Sequence, residues 1–194
     1  TSVIRDALTG LLAIQHRGQD AVGLVTFDSQ ILERVPSSAK HLDVVLHTID
    51  RAVAGRPGQL RDPLFRMTEF FKRRGILAII SDFYEEPDVI IDAVKRFRAQ
   101  GHDVMVFHIL DPAELEFPYD SASSFEDLET GVRMPIVPDN LRDQYKQLIE
   151  EHTSTLAKRF TEYQVDYAVF NTSTPLDYGL FKFLSARERM IRLR

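Results

Sequence analysis

The run Gly75-Ile76-Leu77-Ala78-Ile79-Ile80-Ser81-Asp82-Phe83 constrains the fold more than any other stretch of this chain. Five consecutive apolar residues, three of them β-branched, describe a strand covered on both faces. Such strands belong to parallel sheets flanked by helices, where ligands bind beyond the carboxyl ends of the strands. The run stops at Ser81 and Asp82, so both stand where binding or chemistry is expected. Pro87 suits the first position of the next helix and holds Glu86 out of helical conformation. Asp82 is thereby read as a loop residue rather than a helix cap.

Around this strand the chain alternates. Thr1 to about Gln15 reads as an amphipathic helix with Val3, Ala7, Leu8, Leu11, Leu12 and Ile14 on its apolar face. Ala21–Phe27 and Ile31–Val35 form an antiparallel hairpin about Asp28-Ser29-Gln30, and Pro36-Ser37-Ser38 breaks the pattern. Helices follow from His41 to about Val53 and from Leu64 to Arg74, the second closed by Gly75 with Phe70 and Phe71 on the sheet. Pro87–Gln100 is a helix ending at Gly101. His102–Leu110 is a second buried strand, stopped by Asp111-Pro112. Phe125–Leu128 and Val132–Ile136 flank a turn at Glu129-Thr130-Gly131, with Pro135 placing that arm at an edge. Asp139 caps a helix from Asn140 to about Tyr163, with Leu141, Tyr145, Leu148, His152, Leu156 and Phe160 inward. Val165–Phe170 is the last strand. A final helix opens at Thr174-Pro175, and Ile191–Arg194 adds a short strand or frays. The alternation predicts a three-layer α/β/α fold with a mostly parallel, Rossmann-like sheet and an edge hairpin. A single domain spans residues 1–194, with no internal repeat.

Composition narrows function by exclusion. The net charge of −5 gives no reason to expect a nucleic-acid or anionic-membrane partner. No apolar stretch approaches the roughly 18 residues that span a bilayer, and no charged-then-apolar leader opens the sequence. Without cysteine there are no disulfides, cysteine zinc sites or thiol nucleophiles, which suits a cytoplasmic location. The six histidines are scattered and form no ligand pair at helical spacing. Neither GxGxxG nor GxxxxGK[ST] occurs, so no phosphate-binding glycine loop is expected.

Six blocks together carry a family resemblance: Asp20–Asp28, Arg73–Phe83, Gly101–Val104, Asp111–Glu116, Asp127–Gly131 and Val165–Tyr167. They resemble the bacterial domain-of-unknown-function family numbered fifty-eight, which carries a von Willebrand factor A-like domain and usually accompanies MoxR-type AAA+ ATPases. The resemblance implies a non-catalytic interaction module that helps such an ATPase assemble or activate other proteins. It also implies comparison with a metal-ion-dependent adhesion site, in which Asp82 matches the aspartate after the fourth strand. The Asp-x-Ser-x-Ser segment of that site would precede Thr1, and the threonine's place falls near Arg61-Asp62, where none stands. Magnesium wants six oxygen ligands in near-octahedral geometry. With the motif incomplete no metal or other cofactor is expected, Asp82 being the single weak candidate. In the family's order the usual first central strand is lacking between Ala21–Phe27 and Ile76–Ile80. The chain then reads as a C-terminal fragment or shortened form whose two strands close up, pair with a second copy through the exposed edge in a homodimer, or await an upstream segment.

The expected ligand face comprises Ser81, Asp82 and Asp111. Asp111-Pro112 also reads as the start of a turn, and Asn171-Thr172-Ser173-Thr174 as an anion site at a helix N-terminus or as a helix cap through Thr174. His152 reads as a packed histidine. Arg187, Arg189, Arg192 and Arg194, like Lys72-Arg73-Arg74, read as late-helix cations favoured by the macrodipole, or else as docking charges. The competing functional reading is a small hydrolase or phosphoacceptor using Asp82 as nucleophile, which needs a base or oxyanion site nearby.

Overall fold

The computed structural model describes residues 21–52, 60–119, 123–126, 133–136 and 138–192. Three parallel strands form its centre: β3 (Ile76–Ser81), β4 (Asp103–Leu110) and β7 (Asp166–Asn171), in the order β3-β4-β7. Ile80 stands beside Phe107 in register, and Phe107 beside Ala168. A hairpin of β1 (Val22–Phe27) and β2 (Ile31–Ser38) forms a separate sheet, as do β5 (Ser123–Glu126) and β6 (Arg133–Ile136). The helices are α1 (Leu42–Arg51), α2 (Arg61–Met67), α3 (Pro87–Ala99), α4 (Pro112–Glu116), α5 (Pro138–Glu162) and α6 (Leu176–Arg192).

Alternation along the strands divides the core between two faces. Ile79, Val104 and Val106 pack with Ile90, Ile91, Val94 and Phe97 of α3 and with Leu156 and Phe160 of α5. Met105, Phe107, Ile109 and Phe170 face the other way, onto Leu180 and Phe183 of α6. Burial of each large apolar side chain contributes roughly 2 kcal/mol relative to exposure. Local sequence sets α3 in place. Glu86 is extended (ψ 134°), Pro87 follows at the first helical position, Asp88 lies in the first turn and Arg96 and Arg98 in the last. Gly101 then takes a φ of +86°, which a side chain would resist.

Several sequence expectations need correction. The Ile76–Ser81 strand, read as covered on both faces, is an edge of the described parallel sheet, and Ile79 alone of its residues is buried. The middle strand is β4, whose residues from Val104 to Leu110 are all buried. Ile76 is 71% exposed at the start of that edge. β1 does not close up on β3, although Val25 and Phe27 reach the same core. Strand β2 runs on through Pro36, because its ladder shifts register between Val22/Leu24 and their partners. Such a bulge tolerates proline's missing donor. Gly23 lies opposite, where a Cβ would meet the Val35 carbonyl at 2.9 Å. Helix α2 ends at Met67 rather than Arg74. Helix α5 turns Tyr145, His152, Leu156 and Phe160 inward as expected but leaves Leu141 and Leu148 exposed, Ile149 joining the inner stripe in place of Leu148. Its first residues are Pro138 and Asp139, so Asp139 lies inside the helix instead of capping it. Arg192 belongs to α6 rather than to a strand. The expected helix at 1–15, the loop at 54–58, the turn at 129–131 and Arg194 lie outside the described residues.

Candidate functional site

Strand β3 delivers its terminal Ser81 and then Asp82 to the carboxyl end of the sheet, with Asp82 exposed. The Ser81 hydroxyl donates to Asp82 Oδ1 at 3.2 Å and accepts the Phe83 N–H at 3.3 Å, closing a tight turn. Phe83 adopts a φ of +47°, a conformation that costs a bulky residue energy and persists only where the surroundings enforce it. Here they do. The Phe83 ring is fully buried and meets the His108 imidazole edge-on at 5.4 Å. The Phe83 carbonyl lies 2.8 Å from His152 Nε2, brought by α5. The carbonyl of Asp82 lies on the side of the His108 ring and favours its protonated form. Two histidines from different elements thus meet the exit loop, His108 at the Phe83 ring and His152 at the Phe83 carbonyl.

Buried His108 projects from the middle strand, with Nδ1 2.7 Å from the Tyr167 hydroxyl of β7. Burial pushes its imidazole down to about 4, the Asp82 carbonyl opposing the fall and nearby His152 adding to it. A neutral ring accepts the Tyr167 hydroxyl proton at Nδ1. Burial also pushes the Tyr167 hydroxyl above its ordinary value. Scattered histidines gave no hint of this support. A hint was present all the same: His108 is the one ionisable residue between Val104 and Leu110, an otherwise apolar run.

Asp111 leaves β4 in extended conformation and caps α4. Its Oδ1 accepts the Ala113 N–H at 2.9 Å, its own N–H donates to Glu114 Oε2 at 2.7 Å, and its Oδ2 takes the Thr172 hydroxyl at 2.9 Å. This capping box replaces the simple turn expected from Asp-Pro, and its Asp-x-x-Glu spacing was visible in the sequence. The Ala113 N–H and Thr172 hydroxyl hold the Asp111 carboxyl below its usual range. Tyr84, 58% exposed, donates its hydroxyl to Glu114 Oε1 and so ties the β3 exit loop to the β4 exit. Partial burial pushes that hydroxyl up, Glu114 pushes it further, and the Asp82 charge adds to the effect. Ser81, Asp82 and Asp111 therefore share one end of the sheet. Asp82 faces solvent, while both Asp111 oxygens accept hydrogen bonds within the fold.

The family model described as "Protein of unknown function DUF58" matches residues 3–155. The chain belongs to the DUF58 family. Among its relatives, an uncharacterized protein of Mycobacterium tuberculosis is 25% identical over 191 residues, covering 94% of this chain and 59% of the relative. The DUF58 chain thus spans 59% of that relative's length. An uncharacterized protein of Mycobacterium avium is 27% identical over 169 residues, covering 81% of this chain and 96% of its own. Among solved structures, the conserved hypothetical protein BatB from Bacteroides thetaiotaomicron aligns with a TM-score of 0.60 at 14% identity. That alignment covers 96% of this chain and 87% of BatB. An aerotolerance-related membrane protein from Bacteroides fragilis also scores 0.60 at 12% identity, over 89% of this chain and 81% of its own. These likenesses establish a shared fold.

The residues at this DUF58 exit loop do not suit a magnesium ion, which would need several converging oxygens. Asp82 offers one carboxylate, the Ser81 hydroxyl is engaged in the turn, and the Asp111 oxygens are taken. Among the described residues no three His, Cys, Asp or Glu side chains converge on a common point. Arg61 and Asp62, where the adhesion-site threonine would fall, open α2 as exposed residues. Asn171 Oδ1 accepts both the Ser173 N–H and its hydroxyl, which closes that turn on itself. Arg187 is not a surface cation: it turns inward from α6 to Asp103 and Asp166. Arg189 Nε donates to the Ser185 carbonyl at 3.2 Å. No described helix is long and apolar enough to cross a membrane.

Proposed function

We propose that this DUF58 chain is a non-catalytic protein-interaction module that docks a partner through the exit loop around Asp82 and works beside a MoxR-type AAA+ ATPase in assembling or activating other proteins. The observation that carries the reading is the contrast within the loop: its Phe83 carbonyl meets His152 and its Phe83 ring packs on His108, while the Asp82 carboxylate faces solvent with no cation beside it among the described residues. A rigid scaffold presenting an exposed charge suits recognition, because little order remains to be imposed on binding. The hydrolase or phosphoacceptor reading draws less support. His152 meets the Phe83 carbonyl and His108 the Tyr167 hydroxyl, and neither is placed as a base on Asp82. The same module would self-associate through the edge of β3 that pairs with no described strand, where Ile76 is exposed and the strand carries no charge or proline.

The test is co-purification of the chain with a MoxR-type ATPase encoded in the same genome, comparing wild type with Asp82→Ala. Loss of the ATPase from the variant, with an unchanged circular dichroism spectrum, is the expected result. Equal recovery by both proteins removes Asp82 from the docking face.

A further inference from the structure

A second surface lies at the other end of β3. Because α2 stops at Met67, Lys72, Arg73 and Arg74 occupy an extended connector and not the last turn of a helix. The macrodipole therefore does not account for three consecutive exposed cations. Arg74 lies against the end of α3, its Nε 2.7 Å from where a Gly101 Cβ would stand. Lys72 instead joins Arg34 of β2, Phe70 and Glu69 around an open cleft of about 660 Å³ between the hairpin and the connector. The Arg34 guanidinium stacks on the Phe70 ring at 4.2 Å. Stacking fixes the plane of the guanidinium and leaves its N–H edges free for a planar acceptor. Neither Arg34 nor Lys72 meets a carboxylate among the described residues.

A neighbouring cationic cleft shows the difference. There Lys95 pairs with Asp92, Arg96 lies over Phe65, and Arg98 donates to the His102 carbonyl and to Gln164. Lys95 and Arg98 are engaged within the fold and Arg96 lies on a ring as Arg34 does, whereas Lys72 meets no carboxylate among the described residues. Arg34 is a bidentate donor and Lys72 a mobile point charge, a combination that matches carboxylates. Glu69 inside the cleft, Glu33 on β2 and the net charge of −5 disfavour a broad anionic surface such as a membrane.

We propose that the Arg34–Phe70–Lys72 cleft receives an acidic segment of a partner protein, its carboxylates taken by Arg34 and Lys72. This surface is separate from the Asp82 loop, which lies beyond the far end of β3, about 20 Å along a strand of that length. With both surfaces occupied the module would bridge two proteins of opposite charge.

Fluorescence anisotropy of a labelled ten-residue glutamate peptide, titrated with the full chain, tests the assignment. Wild type binds with an affinity that falls as salt rises, and Arg34→Glu or Lys72→Glu weakens binding at least tenfold. Arg34→Gln and Lys72→Gln weaken it less, and because both residues are exposed these variants keep the wild-type melting temperature. Asp82→Asn and Lys95→Glu bind as wild type does, so failure here and failure of the Asp82 face are separately visible. The proposal is overturned if the peptide does not bind, if Lys95→Glu weakens binding as much as Lys72→Glu, or if phosphatidylserine vesicles bind through Arg34 and Lys72 while the peptide does not.

Discussion

Aspartates stand at both ends of the parallel strands, and the fold treats them in opposite ways. At the amino ends, Asp103 of β4 and Asp166 of β7 converge on Arg187, which reaches in from α6. The guanidinium donates to Asp103 and lies 3.1 Å from Asp166 Oδ2, with Nη1 buried and not aligned for a hydrogen bond. Charge there clamps two neighbouring strands to a helix. At the carboxyl ends, Asp111 is consumed by a helix cap, whereas Asp82 is left facing water. The same residue type is structural where a partner arrives from another element, and available for recognition where none does. Exposure alone would not make Asp82 useful. The two histidines beneath its loop fix where its charge is presented.

The largest effect that would sharpen this contrast lies under the exit loop. Folded His108 titrates near 4, while the unfolded residue takes up its proton near 6.5. Its stabilising contribution is therefore complete above pH 6.5 and is lost as pH falls toward 4, because the unfolded chain binds the proton first. The shift corresponds to a loss of about 3 kcal/mol across that window. Urea melts at a series of pH values should show the decline, with a flatter profile for His108→Gln. An identical slope in the variant would mean that His108 does not support the loop as described.

Next in size is the amino-end clamp. Arg187→Met should destabilise the chain by about 2 kcal/mol, below the usual range for a broken buried pair because Asp103 is half exposed. Arg187→Lys should restore little of this, lacking the fork that reaches both aspartates. Denaturant midpoints measure both variants, and a wild-type midpoint for Arg187→Met would reduce the clamp to a surface pair. Asp111→Ala removes the cap of α4 and the Thr172 tie, and should lower the melting temperature by a few degrees. A smaller effect still is expected from Asp82→Asn, whose melting temperature should match wild type within error. A large drop there would return Asp82 to the structural class of Asp103 and Asp166.

Legibility in the sequence followed the range of the interactions involved. The strand at Ile76–Ser81, the proline-started helix at Pro87 and the stop at Gly101 were all readable, because each rests on residues adjacent in the chain. Leu141 and Leu148 misled, since a long helix with scattered apolar residues has more than one plausible inner stripe. Tyr145 and His152, read as inward, do meet Phe117 and the Phe83 carbonyl, while Ile149 takes the inner place that Leu148 was given. Arg187 misled in the same way, being one of four arginines near the chain's end and distinguishable only by aspartates far away in sequence.

By itself the sequence determined that strands and helices alternate, where most of them begin and end, and that Asp82 follows a strand rather than opening a helix. Those outcomes depend on backbone preferences and hydrophobic periodicity, which act over a few residues. Tertiary structure decided that β4 is the middle strand of the described parallel sheet, that His108 and His152 pack against the Asp82 loop, and that Arg187 is a clamp while Arg34 and Lys72 meet no carboxylate among the described residues. Strand order and charge pairing depend on groups dozens of residues apart, and no local pattern encodes which of them will meet.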